Sequence, residues 1–287
     1  MSGPQCPVTT AGDMKRSLAC AALLTAVVTG VLWLFLHGLW NPEAWPVPER
    51  PPKQGEAVDA ARLASGVVVH STVALRRVVR EPQNAWSNLA YILTGALVGA
   101  YYRSRLLRGL ALAMIGVGVG SFLYHASASR ALRAFDVGAM YWLYGHLALL
   151  AAASLSPRFA SWCECRAATL TGGLLLVSVP VTLYRGVSIL GVRPFEITLV
   201  TGGVALVLGV ALLARAVRAR HWSAWAWPAG SVLLFALAAA LQVGDRPGGW
   251  CWNPQATLQG HALWHLLSAA ASGLTVWGLT GPEPLPN

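Results

Sequence analysis

The sequence predicts an all-α, polytopic membrane protein, with a core of seven transmembrane helices and one further hydrophobic helix before it. The composition is the first observation, since 55% of the 287 residues are hydrophobic and only 11% are charged, whereas soluble domains carry about a quarter charged residues. The second is the length of the apolar runs, which matches the roughly 17–25 residues that cross a bilayer core. The third is the 13 Trp residues, a residue type favoured at membrane interfaces.

Eight apolar runs have this length, and none shows the strict alternation of a half-buried strand. The first run, 17–39, stands apart from the others. The other seven follow one another closely, and we expect them to form the core helices. They cover 85–102, 107–127, 134–154, 167–185, 194–214, 225–243 and 259–279.

The N-terminal part is predicted to lie outside this core. Lys15 and Arg16 precede the first run, as in a signal peptide, but the run is long for one and no small-x-small cleavage site follows, so we interpret it as an uncleaved anchor. The apolar periodicity of 61–75 indicates an interfacial helix. The predicted organisation is a tail at 1–16, the anchor at 17–39, a linker at 40–80, a seven-helix domain at 81–280 and a tail at 281–287.

The net charge of +10 does not indicate nucleic-acid binding, because the Arg residues fall in short loops between apolar runs. Loop charges of this kind set the orientation of a membrane protein, with the richer side facing the cytoplasm. The basic stretch 76–80 opposes this difference in loop charge between the two sides. The Arg- and Ala-rich composition is typical of a bacterial inner-membrane protein. The residues predicted to be cytoplasmic are Arg103, Arg105, Arg108, Arg158, Arg166, Arg215, Arg218 and Arg220.

Ionisable residues inside membrane helices are costly and therefore indicate function. In an up-and-down bundle, the end of the second core helix and the starts of the third, fifth and seventh lie at one leaflet. Five of the six ionisable residues belong to these helix ends, which the charge bias places at the non-cytoplasmic leaflet. The six residues are His125, Asp136, His146, Glu196, His261 and His265.

Their spacing predicts a metal centre. His261 and His265 are four residues apart, so both rings project from one helix face, and His125 is expected at the same depth. Three neutral imidazoles with an open fourth position form a catalytic zinc arrangement. Ser121 shares the helix face of His125, and Asp136 follows after one short turn, where its carboxylate can orient or deprotonate a water molecule.

Several of these polar residues also have structural interpretations. His146 lies about 15 Å deeper than Asp136 and is interpreted as a packed, hydrogen-bonded histidine. Glu196 is expected to pair with a nearby Arg, and Asp245 with Arg246 in the last loop. Ser121 taken alone can bond to a carbonyl of its own helix.

Three segments carry a resemblance to a known family. The segment GVGSFLYHASASRALRAFD (118–136) resembles the Gly-x-Gly-Ser-x-x-x-His and Asp signature of the alkaline ceramidases. QGHALWHLLSA (259–269) and EPQNAWSNLAYILTG (81–95) resemble the last-helix and first-helix motifs of that family, in the same order. The wider superfamily includes adiponectin and progestin receptor-like proteins, which share the Ser, Asp and three-His set.

The resemblance implies an intramembrane zinc amidase that cleaves a ceramide-like lipid. His125, His261 and His265 would bind zinc, and Ser121 and Asp136 would complete the catalytic set. Glu81 matches a calcium ligand of the family, but residues 60–80 contain no Asp or Glu. One carboxylate does not complete a calcium site, which needs six or more oxygens.

Two alternatives stay open from the sequence. One is a receptor-like or sensor member of the same superfamily with little turnover. The other is a haem-binding membrane protein, since paired membrane histidines also bind haem. The expected partners are a lipid substrate and membrane lipids rather than nucleic acid, and the sequence does not fix the oligomeric state.

Overall fold

The computed structural model describes Thr25 and residues 81–127, 130–184, 197–219, 223–245, 249–250 and 259–281. These residues are helical and include no strand, as the sequence predicts. The anchor run (apart from Thr25), the linker and Glu196 lie outside the described residues. The helices are α1 (Pro82–Ser87), α2 (Leu89–Tyr101), α3 (Arg105–Ser127), α4 (Arg130–Leu155), α5 (Pro157–Cys165), α6 (Ala167–Tyr184), α7 (Ile197–Ala219), α8 (Ser223–Gly244) and α9 (Gly260–Thr280).

Each of the seven predicted core runs coincides with helix in the structure. The first core run, 85–102, covers the end of α1 and all of α2, and the two helices meet at Asn88. Helix α5 was not predicted, because its nine residues are too few to give a membrane-length apolar run.

The helix starts follow from local chemistry. Pro occupies the first turn of both α1 and α5, where its missing N–H leaves no bond unmade. Ser156 caps α5 by accepting the Phe159 N–H at 3.3 Å. At the start of α3, the Glu164 carboxylate accepts the Arg105 N–H at 2.8 Å and also contacts the Ser104 hydroxyl. Glu164 therefore ties α5 to the first turn of α3.

Among the described residues, four helical segments are long and apolar enough to cross a membrane. The helix pair Pro157–Cys165 and Ala167–Thr182 would give a fifth if it counts as one span, although it bends by 80°. The chain is therefore a membrane protein by length and composition, and the count of seven spans stays a prediction. The four segments are Arg105–Ser127, Leu132–Leu155, Ala226–Gly244 and Gly260–Thr280.

Large apolar side chains are exposed on α6, α7 and α8. Leu176 is 73% exposed, Leu206 69% and Leu233 67%. Many large apolar side chains exposed on three neighbouring segments of the chain fit contact with lipid tails.

The buried core lies where α3 and α4 pack against α2, α7 and α9. Helices α2, α3 and α9 also show how the bundle ends are arranged. The Tyr102 hydroxyl, just after α2, accepts a hydrogen bond from Thr280 at the end of α9, 3.0 Å away. The start of α3, the end of α9 and α5 thus lie at one end of the bundle. The end of α3 and the start of α9 lie at the other end.

Candidate metal centre

The three predicted histidines come together at the end of the bundle opposite α5. His125 comes from the last turn of α3, and His261 and His265 come from the first turns of α9. One ring nitrogen of each lies within 4.8 Å of the other two. His125 and His265 are buried, and His261 is partly exposed. The i, i+4 spacing therefore does place two rings beside the third.

The Glu81 carboxylate fixes the tautomer of His125. Its Oε2 atom is 2.7 Å from His125 Nδ1, and a carboxylate can only accept, so Nδ1 carries the hydrogen. The lone pair of His125 is then on Nε2, which lies 3.3 Å from His261 Nε2.

Ser87 contacts the Nδ1 atom of His265, as Glu81 contacts that of His125. The Ser87 hydroxyl donates its one hydrogen to the Asn84 carbonyl, 3.0 Å away. With its hydrogen on that carbonyl, the Oγ atom acts as the acceptor at its 2.8 Å contact with His265 Nδ1. The lone pair of His265 is left on Nε2, which is buried and has no hydrogen-bond partner.

This arrangement fits a zinc ion. Two imidazole nitrogens on one tetrahedral zinc, at about 2.0–2.1 Å each, are about 3.3–3.4 Å apart. The Nε2 atoms of His125 and His261 have this separation, and the three ligand atoms all lie within 4.8 Å of one another. The unpartnered Nε2 of His265 is costly to bury unless it has a ligand. His125 and His265 already have the tautomer that a metal ligand needs, with an acceptor on the other ring nitrogen.

The start of α9 is held in place from α8. Asp245, directly after α8, accepts the backbone N–H of His261 at 2.7 Å. This N–H belongs to the first turn of the helix, where it has no partner within α9. The expected partner of Asp245, Arg246, lies outside the described residues, and the structure assigns the Asp245 carboxylate to this helix start.

Ser121 on α3 and Asp136 on α4 are both buried. Ser121 is one helical turn before His125 on α3. At the neighbouring Gly120, an added Cβ would lie 3.3 Å from the Asp136 Cα, so α4 passes directly against α3 at this level. Their catalytic roles stay predictions.

His146 has the structural role that the sequence indicates. Its Nδ1 atom lies 3.0 Å from the Trp142 carbonyl and its Nε2 atom 3.1 Å from the Thr171 hydroxyl. Both ring nitrogens are therefore partnered inside the bundle.

Sequence reasoning did not assign the acceptors for the Nδ1 atoms. Glu81 was considered only as a calcium ligand, and Ser87 was given no role. Both residues belong to the segment EPQNAWSN at the start of the first core helix, but nothing in that segment indicates contact with histidines on distant helices.

Comparisons with known proteins give one match. A family model described as Ceramidase matches residues 74–280, more than half of the chain. No curated protein and no solved structure shows significant similarity to the chain.

Proposed function

The chain belongs to the ceramidase family, whose members are hydrolases that act on amide bonds, and from that premise we propose that it is an intramembrane zinc-dependent amidase. Its reaction is hydrolysis of the N-acyl bond of a ceramide-like lipid to a fatty acid and a sphingoid base. The observation that carries the proposal is the convergence of three imidazoles, two of which have Nδ1 in contact with a side-chain oxygen on the far side of the ring.

His125, His261 and His265 are the proposed ligands. When bound, zinc supplies a Lewis acid for the scissile carbonyl and lowers the pKa of a water molecule. Asp136 accepts the water proton and later passes it to the leaving amine. Ser121 donates a hydrogen bond to the carbonyl oxygen as negative charge develops there.

The location of the centre suits a lipid. The cluster lies at one end of a bundle whose surface is rich in exposed apolar side chains, so an acyl chain can approach from the bilayer. We place the protein in a bacterial inner membrane with the centre towards the non-cytoplasmic leaflet, on the basis of the loop charges. Calcium is not part of the proposed reaction.

The test combines elemental zinc analysis with hydrolysis of a fluorescent short-chain ceramide by the purified full-length protein. We expect zinc in the wild type and loss of both zinc and turnover in His261→Ala. His146→Gln is the matched control, since it replaces a buried histidine outside the cluster with a side chain that can still bond to Thr171. Full zinc content in His261→Ala would contradict the ligand assignment.

The same preparation separates the alternatives. Zinc without hydrolysis of any N-acyl lipid would indicate a receptor-like or sensor protein. A Soret absorption band would indicate haem in place of zinc.

A further inference from the structure

The two ends of helix α1 contact two of the three proposed zinc ligands. Glu81, its N-terminal flanking residue, contacts His125 on α3, and Ser87, its last residue, contacts His265 on α9. The two contacting residues are six positions apart in a helix that begins with Pro82. One short element therefore reaches both helices that supply the centre.

Glu81 is held against the end of α3 by more than one bond. Its backbone N–H donates to the His125 carbonyl at 3.0 Å, while its carboxylate accepts from the ring of the same histidine. Asn84 Nδ2 donates to the same Oε2 atom at 3.0 Å. The carboxylate is 14% exposed, so solvent competes little for these bonds.

Asn84 also supports the second contact. Its backbone carbonyl accepts hydrogen bonds from the Ser87 hydroxyl at 3.0 Å and from the side-chain amide of Asn88 at 2.7 Å. Asn84 and Asn88 are buried. With the Ser87 hydrogen on this backbone carbonyl, the Ser87 oxygen acts as the acceptor for His265 Nδ1.

We propose that α1 is the positioning element of the metal centre: Glu81 orients His125, Ser87 orients His265, and together they hold both rings with Nε2 towards the ion. The proposal rests on the zinc centre of the proposed function. It gives Glu81 a role different from the calcium ligation that the family resemblance implies, and it gives Ser87 a role that the resemblance does not supply.

The two contacts differ in strength. A carboxylate acceptor raises the basicity of the imidazole that donates to it, and loss of such a partner typically weakens metal affinity about 10–100-fold. Ser87 is a neutral acceptor, so its removal is expected to have a smaller effect. Glu81→Gln keeps an acceptor oxygen but removes the charge, so its affinity should lie between those of the wild type and Glu81→Ala.

The experiment measures the zinc dissociation constant of the full-length protein in detergent, by competition with a chelator. We expect weakening of about 10–100-fold in Glu81→Ala, less in Ser87→Ala, and recovery in Ser87→Thr. The absorption spectrum of the Co²⁺-substituted protein should change in Glu81→Ala, because the His125 ring is no longer fixed. Size-exclusion elution and helical circular dichroism identify any variant that fails to fold.

Two matched controls separate positioning from a general loss of packing. Glu164→Ala removes a carboxylate that fixes a helix start at the other end of the bundle. Ser272→Ala removes a buried hydroxyl of α9 that donates to the Ser268 carbonyl of the same helix. Both variants should keep the wild-type zinc affinity.

Three results would overturn proposals. Wild-type zinc affinity in folded Glu81→Ala and Ser87→Ala would overturn the positioning role and leave the zinc enzyme standing. An effect of Glu81→Ala that appears only with added Ca²⁺ and vanishes with a calcium chelator would also overturn it, in favour of calcium ligation. A wild-type protein that binds no zinc would overturn the proposed function itself.

Discussion

At the residue scale, the proposed chemistry separates ligands from proton carriers. His125, His261 and His265 present nitrogen atoms to one point, whereas Asp136 approaches from α4 beside Gly120. Replacement of a histidine ligand should remove the metal, whereas replacement of the residue that carries the proton should leave the metal bound.

Asp136→Asn should therefore retain zinc and lose turnover. The amide has nearly the shape of the carboxylate but cannot accept a proton at neutral pH, and a general base contributes about 10²–10⁴-fold to rate. The measurement is kcat for a fluorescent ceramide beside zinc content. Glu164→Gln serves as the control, because it makes the same change at the opposite end of the bundle. Hydrolysis at the wild-type rate would remove Asp136 as the base.

The sequence predicted the three histidines because helix periodicity and the alternation of an up-and-down bundle fix both face and depth. It did not predict the acceptors on Glu81 and Ser87. Their contacts depend on the path of the chain between α1 and the ends of α3 and α9, and helix periodicity carries no information about contacts between distant segments.

At the element scale, the packing of the bundle depends on how closely α2 and α3 approach. Gly95 and Gly99 are spaced four residues apart on α2, a pattern that lets membrane helices pack backbone to backbone. A Cβ at Gly95 would lie 2.8 Å from the Ala111 carbonyl oxygen and 3.0 Å from the Met114 Cβ. Neither neighbour is the flexible end of a side chain, so the helices would have to separate.

Gly95→Ala should lower stability by about 1–3 kcal/mol, the usual cost of overpacking a close contact. Gly173→Ala is the matched control on α6, since its Cβ would meet nothing within 4 Å, and it should be neutral or slightly stabilising. Thermal unfolding in detergent compares the two. Equal midpoints for both variants would show that α2 and α3 do not need this close approach.

The positions and order of the long core helices were predictable because each of them is a long apolar run. The smaller elements were not. Helix α5 has Arg158, Glu164 and Cys165 among its nine residues, and the break at Asn88 lies inside a run that composition alone reads as continuous. Short elements are fixed by side-chain contacts such as that of Glu164 with Arg105.

At the scale of the whole molecule, hydrogen bonds across the bundle define two opposite ends. Glu164 joins α5 to the start of α3, and Asp245 joins the end of α8 to the start of α9. The described Arg residues of the cytoplasmic set lie at the α5 end, and the metal centre lies at the other. The predicted orientation therefore has the α5 end facing the cytoplasm and the metal centre facing away from it.

Cysteine labelling tests this orientation. Cys165 is exposed on α5, and Cys163 beside it is buried. In a variant that keeps Cys165 and replaces the other four cysteines, a membrane-impermeant maleimide should label inverted membrane vesicles and not spheroplasts. Loop charge sets this direction, because Lys and Arg near the ends of membrane segments are retained on the cytoplasmic side.

Trp250→Cys in a cysteine-free background provides the opposite control. Trp250 is 72% exposed and follows α8 shortly after Asp245, so it lies at the end of the metal centre. It should be labelled in spheroplasts and protected in inverted vesicles. The reverse pattern for both sites would place the centre at the cytoplasmic leaflet without changing its ligands. Labelling of both sites from the same side would contradict the assignment of α5 and the metal centre to opposite faces of the membrane.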